Sequence, residues 1–208
     1  MRCSYCDKKA VICLRYIKKR LCNEHFVRMT EKRMRNAVRQ HNMIKKNERI
    51  FVEHTGPHAA ALLFALNELK KDLPFIIVAQ RKDADKTASS ESIDDLAESV
   101  LGKISGKRGN VLHFTEKKVI RPLLGIPKEE LLLYAKSNMI KEKKEQHTKK
   151  KSALDVRKFQ DLRTASGRRP LERQIAKLLE KMEKRHPGIR FQIMKSAMEI
   201  KVIEETPQ

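Results

Sequence analysis

The chain has 208 residues, 40% of them hydrophobic, which suits one ordinary domain with its own core plus a small module. Its formal net charge is +21, from 47 basic against 26 acidic side chains, a field that draws polyanions and makes nucleic acid the expected partner class. No apolar run reaches spanning length and no signal-peptide or lipidation pattern is found, so no membrane role is expected.

The first 25 residues carry Cys3-x-x-Cys6 and, fifteen residues on, Cys22-x-x-His25. Two tight turns that each present two ligands satisfy tetrahedral zinc without strain. Four protein ligands close the shell, so the expected zinc is structural and contributes to folding. Cys13 lies in an apolar stretch, Ala10–Tyr16, that suits a strand, and is expected to be a small packed residue. With three of the four cysteines committed to metal, no disulfide framework remains and a reducing cytoplasm is the expected compartment.

Residues 24–46 read as one helix. Arg28, Lys32, Arg35 and Arg39 recur at +4, +3, +4 and share a face, while Phe26, Thr30, Met34, Ala37, His41 and Ile44 form the apolar back. The four cations are candidate RNA phosphate contacts. Arg49–Glu53 reads as a strand, Ala60–Lys70 as a helix and Phe75–Ala79 as a second strand, the start of an α/β fold with a parallel sheet. Residues 81–92 read as polar loop. Ser92 with Asp94 and Asp95 marks a helix start. Short strands are expected at Asn110–Phe114 and Val119–Pro122, then a helix over 128–139. The lysine-rich stretch 141–158 reads as a flexible basic linker. A last helix over about 170–185 has Leu171, Ile175, Leu178 and Met182 as its expected inward face and stops at His186-Pro187-Gly188. The expected organisation is therefore a zinc finger (1–25), a basic connecting helix (26–48), an α/β domain (49–140), a basic linker (141–158) and a C-terminal helical segment (159–208).

The run from Met1 through Cys6, Arg15-Tyr16, Leu21–Phe26 and Glu31–Arg33 resembles the start of the tRNA 2-thiouridine synthetases, a family of the PP-loop or adenine-nucleotide alpha-hydrolase-like superfamily. Ile93–Leu101 is similar to that family's L-D-D-E-A-x-x-V-L segment, Ile120–Leu123 with Glu130 and Tyr134-Ala135 to its R-P-L…E…Y-A stretch, and His186–Phe191 with Lys195-Ser196 to its H-P-G-x-x-F…R-S ending. The resemblance implies a PP-loop (HUP-like) parallel sheet with flanking helices, here truncated, behind an N-terminal zinc finger. It implies an ancestry of enzymes that adenylate a tRNA base before a sulfur donor displaces AMP.

The departures lie in the chemistry. Where the family has S-G-G-K-D-S, this chain has Thr55, Gly56, Pro57, His58, Ala59 and Ala60. Proline offers no amide to a phosphate, histidine replaces a permanent cation, and the two alanines supply neither carboxylate nor hydroxyl. The family's central Cys-x-x-Cys, a later cysteine and a C-terminal zinc ribbon have no counterpart after Cys22. The resemblance with these losses implies a degenerate, non-catalytic paralogue needing no ATP, magnesium or iron–sulfur cluster. Its expected partners are tRNA or another structured RNA, and a full-length thiolation enzyme of the family or a sulfur-carrier protein. Two alternatives stand beside it. One is an active tRNA-modifying enzyme with a site rebuilt on His54, His58, Asp94 and Asp95; the other is a basic RNA- or ribosome-associated interaction protein.

Overall fold

A computed structural model describes residues 1–53, 58–106, 111–146 and 170–204. Two short strands, β1 (Ile12–Leu14) and β2 (Lys19–Leu21), pair antiparallel around a 3-10 turn at Arg15–Ile17. Side chains alternate across a strand, so Leu14 points into the core, as does Leu21, which pairs with Ile12. Cys13, between its neighbours on β1, is thereby turned outward and exposed rather than packed as expected. Helix α1 (Asn23–Gln40) follows directly and buries Phe26, Thr30, Met34 and Val38, a single +4 row.

The helix stops well short of residue 46. Asn42 adopts a left-handed φ of 46°, and the Met43 N–H donates back to the Val38 carbonyl at 3.0 Å. That turn drives Met43 and Ile44 into the core as loop residues. His41 is half-buried and stacks on Phe114 with ring centroids 4.1 Å apart.

The remaining strands form one sheet in the order β4-β3-β5-β7-β6. β3 (Arg49–Val52), β4 (Ile76–Val78), β5 (Lys86–Ala88) and β7 (Val119–Ile120) are parallel, and β6 (Thr115–Glu116) closes one edge antiparallel. The fold is α/β with a mostly parallel sheet. Two expectations fail locally. Residues 86–88, read as loop, are the central strand, pairing with β3 and β7. Residues 111–114 are not a strand; the pairing residues are Thr115 and Glu116, across from Ile120 and Val119.

Helix α2 (Ala59–Leu69) follows β3 and buries Ala59, Leu69 and every residue from 61 to 66. It packs with α1 and with α4 (Lys128–Gln146), while α3 (Ile93–Ile104), α5 (Pro170–Arg185) and α6 (Ile189–Glu204) pack together. The crossovers through α2 and α3 run in opposite directions from the adjacent strands β3 and β5, so right-handed connections put the two helix groups on opposite faces. Leu14, Leu21 and Phe26 belong to the same apolar cluster as Ile50, Val52 and Leu62, so the cysteine-bearing segment is built into the core. Helix α4 continues past residue 140 through Gln146, into the stretch read as linker; residues 147–158 of that stretch lie outside the described residues. On α5 the inward residues are Ile175 and Leu179, and the expected Leu171 and Leu178 are exposed.

Candidate functional site

The ligand atoms of Cys3, Cys6, Cys22 and His25 all lie within 4.8 Å of one another. The strand-like bridge between Arg2 and Lys9 and the bond from the Cys3 N–H to the Lys8 carbonyl, at 2.9 Å, close the first turn. The second pair comes from the start of α1: Cys22 is its N-cap residue and His25 sits one turn on, with the Phe26 N–H bonded to the Cys22 carbonyl at 2.9 Å. The Sγ atoms of Cys6 and Cys22 are 3.7 Å apart, and His25 Nδ1 is 3.6, 3.5 and 3.3 Å from the sulfurs of Cys3, Cys6 and Cys22. A zinc tetrahedron with Zn–S of about 2.3 Å and Zn–N of about 2.0 Å has edges of roughly 3.5–3.8 Å, so the donor set fits one such ion. Burial opposes the Cys3 thiolate, but bonds from the backbone of Cys22 and Tyr5 outweigh it and lower that thiol to about 6. The Tyr5 ring covers His25 at 5.4 Å between centroids, and Lys19 sits over Tyr5.

The second region is the carboxyl end of the sheet. In parallel sheets ligands bind where neighbouring strands send their crossovers opposite ways, here between β3 and β5. Thr55, Gly56 and Pro57 lie outside the described residues, as does His54. His58 leads into α2 and is 2% exposed, with Ala59 equally buried and Ala60 half-buried behind it. Neither His58 ring nitrogen has a hydrogen-bond partner among the described residues. Burial lowers its pKa to about 4, with Asp95 raising it and Lys128 lowering it by smaller amounts. The imidazole is therefore neutral at physiological pH, unlike a lysine. At the strand ends, Ser89 Oγ donates to Glu53 Oε2 at 3.0 Å and the Glu53 N–H donates to the Ala88 carbonyl at 2.9 Å.

The two aspartates are committed elsewhere. Asp95 completes a capping box: its N–H donates to Ser92 Oγ at 3.4 Å, and its Oδ2 accepts from the Ser92 N–H at 2.8 Å. Asp94 accepts the Lys128 N–H at 2.8 Å and pairs with Arg190 Nε at 2.9 Å, tying α3 to the starts of α4 and α6. Burial raises the Asp94 pKa against the pull of that amide and of Arg190.

Comparison with known proteins bears on this geometry. No protein-family model matches the chain. Over 105 residues it is 26% identical to the tRNA-5-methyluridine(54) 2-sulfurtransferase of Thermotoga maritima, a match covering 50% of this chain and 34% of that protein. Over 62 residues it is 32% identical to the protein of the same name from Pyrococcus horikoshii, covering 30% of this chain and 20% of that one. The structure of the U34-tRNA thiolase NcsA from Methanococcus maripaludis, with its 4Fe-4S cluster, matches over 100% of this chain and 88% of that one, with a TM-score of 0.70 and 17% identity. The chain is a relative of the tRNA-thiolation PP-loop proteins. Its matches span about a third and a fifth of the two sulfurtransferases, and the likeness to the thiolase is one of fold.

In this thiolation-family relative the basic row on α1 is mostly free to meet a partner. Arg28, Lys32 and Arg39 are exposed. Arg35 is half-covered, with its Nε 2.9 Å from Asp72 beyond the end of α2 and its guanidinium near Glu31, so its charge is locally neutralised. The chain also holds groups that reading by motif passed over. Arg33 Nη1 donates to Tyr16 Oη at 2.8 Å and to Glu130 Oε2 at 2.7 Å, and its Nη2 donates to the Gly125 carbonyl at 2.7 Å. Tyr16 Oη donates to Glu130 Oε1 at 2.7 Å, and the Arg33 guanidinium lies over the Tyr16 and Phe191 rings. Gly188, at φ 99°, lets the α5–α6 turn reach this cluster, since a Cβ there would stand 3.1 Å from Tyr16 Cβ. Buried Arg121 holds the Glu91, His113 and Glu116 segments together. Tyr16, Arg33, Glu130 and Arg121 all lie in segments that resemble the family; the resemblance marked the segments but not the contacts.

Proposed function

We propose that this chain is a non-catalytic, tRNA-binding member of the thiolation family with a structural zinc at its N-terminus. The observation that carries the reading is His58. At the position of the family's loop lysine stands a buried, neutral imidazole at the head of α2, where a phosphate would need a cation. The structural duties of Asp94 and Asp95 support the same reading, because a rebuilt acid–base site would have to draw on carboxylates already bonded into helix starts. The sulfurtransferases it matches act, by their names, on tRNA, and tRNA is the proposed partner. Arg28, Lys32 and Arg39 are the proposed phosphate contacts, which would position RNA without reading its sequence. A full-length thiolation enzyme or a sulfur-carrier protein is the proposed protein partner.

Zinc is favoured over iron–sulfur by the donor set. A 4Fe-4S cube holds its ligands on four separate irons, which spreads the thiolates apart, whereas these four donors converge on one ion. Metal analysis is expected to give one zinc per chain; stoichiometric iron and sulfide would overturn that assignment. Calorimetric titration with ATP and magnesium is expected to give no saturable heat below about 1 mM, while labelled tRNA binds in a filter assay. Saturable ATP binding, or nucleotide turnover in the presence of tRNA, would end the non-catalytic reading.

A further inference from the structure

Helix α5 sorts its surface by charge. Ile175 and Leu179 are buried against Ala97 of α3. At about 100° per residue, the arc opposite them carries Arg173, Lys177, Lys181, Lys184 and Arg185, all exposed. No acidic residue falls within that arc of about 120°. Glu180 and Glu183 lie on one shoulder and line a cavity of about 450 Å³ together with Glu129 and Glu130. Leu171 and Leu178 lie on the other shoulder, 40% and 50% exposed.

A helix face that merely meets water interleaves its signs, so that opposite charges fall at i and i+4. Here Lys177, Lys181 and Arg185 repeat at +4, so both neighbouring pairs in the row are like-charge pairs that work against the helix. The row spans about 12 Å along the helix at 1.5 Å per residue and winds about 80° around it. A polyanion lying along it relieves both repulsions at once, and a phosphodiester backbone is such a polyanion.

We propose that the outer face of α5 is a second RNA-contact surface, with Lys177, Lys181 and Arg185 gripping the phosphate backbone of tRNA. The inference rests on the reading of the chain as a tRNA binder and adds a surface to it. The row sits on the element next to the family-like His186-Pro187-Gly188 turn, and nothing in the α1 stripe requires it.

The test measures binding of labelled, unfractionated tRNA to the full chain by fluorescence anisotropy across a range of monovalent salt. The variant K177Q/K181Q/R185Q alters only exposed side chains and is expected to lose tenfold or more in affinity at 0.1 M salt. Its log–log salt slope should flatten by about 2.1–2.7, for three contacts at roughly 0.7–0.9 each. K117Q/K118Q/K136Q removes the same charge from exposed positions elsewhere and is expected to change the slope little. If the α5 variant matches that control while R28Q/K32Q/R39Q loses affinity, the α5 surface is wrong and tRNA binding through α1 stands. If the unaltered chain fails to bind tRNA, both fall. If the α5 variant keeps its tRNA affinity but loses binding to polyglutamate, the face is a dock for an acidic protein and the proposal is overturned.

Discussion

His58 has an environment that fixes its protonation state and can be weighed. Its pKa in the folded chain, about 4, lies below the 6.5 expected in the unfolded chain. Between those values the unfolded chain binds a proton that the folded chain refuses, so stability is fully present above about pH 6.5 and drains away as pH falls toward 4. From pH 7 to pH 5 this one side chain should cost about 2 kcal/mol. Urea titrations at the two pH values should show that loss in the natural protein and a correspondingly smaller one in His58→Gln; equal losses would mean the imidazole is solvated. The sequence announced that the loop lysine was gone, but the burial of its replacement depends on how α2 sinks between sheet and helices. Asp95 was more legible, because Ser92-x-x-Asp95 is a local pattern whose partners are three residues apart. Asp94 was half legible: the helix start was plain, while its bond to Arg190, far along the chain, belongs to tertiary packing.

At the scale of elements, the contact that matters most is the one joining the hairpin, α1, α4 and α6. Glu130 is 2% exposed, and burial raises its pKa even against Arg33. Removing Arg33 leaves that carboxylate with Tyr16 as its hydrogen-bond partner among the described residues, so Arg33→Met should cost about 3–5 kcal/mol in chemical denaturation, and pairing it with Glu130→Leu should restore most of the loss. A double variant no more stable than the single would show that the pair is not the joint. A metal held by Cys3, Cys6, Cys22 and His25 would act on the same joint from the other side, since Cys22 and His25 begin the helix that carries Arg33. Cys22→Ser, or chelation, should therefore destabilise the whole chain by several kcal/mol rather than fray 25 residues, read as a lower melting temperature of the single transition. Periodicity found α1, α2, α3 and the first parallel strands because each is long or strongly apolar. It missed β5, where Lys86-Thr87-Ala88 has no apolar alternation and is a strand only because β3 and β7 flank it. It misjudged α5 because leucines at both 178 and 179 allow two inward faces, and only the packing on Ala97 chooses between them.

Over the whole molecule the decisive quantity is the excess of 21 cations. Much of the acidic complement is spent in pairs within the body, among them Arg33–Glu130, Lys86–Glu48, Arg121–Glu91 and Arg190–Asp94. The excess therefore gathers on faces such as those of α1 and α5. Net charge was plain from composition; its placement was not, because sorting by face requires knowing which side of each helix is buried. Two consequences with opposite signs follow. Like charges crowd the folded state, so raising monovalent salt from 0.05 to 0.3 M should screen them and lift the melting temperature by several degrees. The same change should weaken tRNA binding by about three to four orders of magnitude if six side chains on α1 and α5 release counterions. Thermal melts and anisotropy titrations in matched buffers read both trends on one sample. A melting temperature that fell with salt would mean that the folded chain is held by its surface pairs and that the cations are already balanced, which would remove the electrostatic basis for RNA binding. A rising melting temperature with an unchanged tRNA affinity would keep the repulsion but place the RNA contact away from both basic rows.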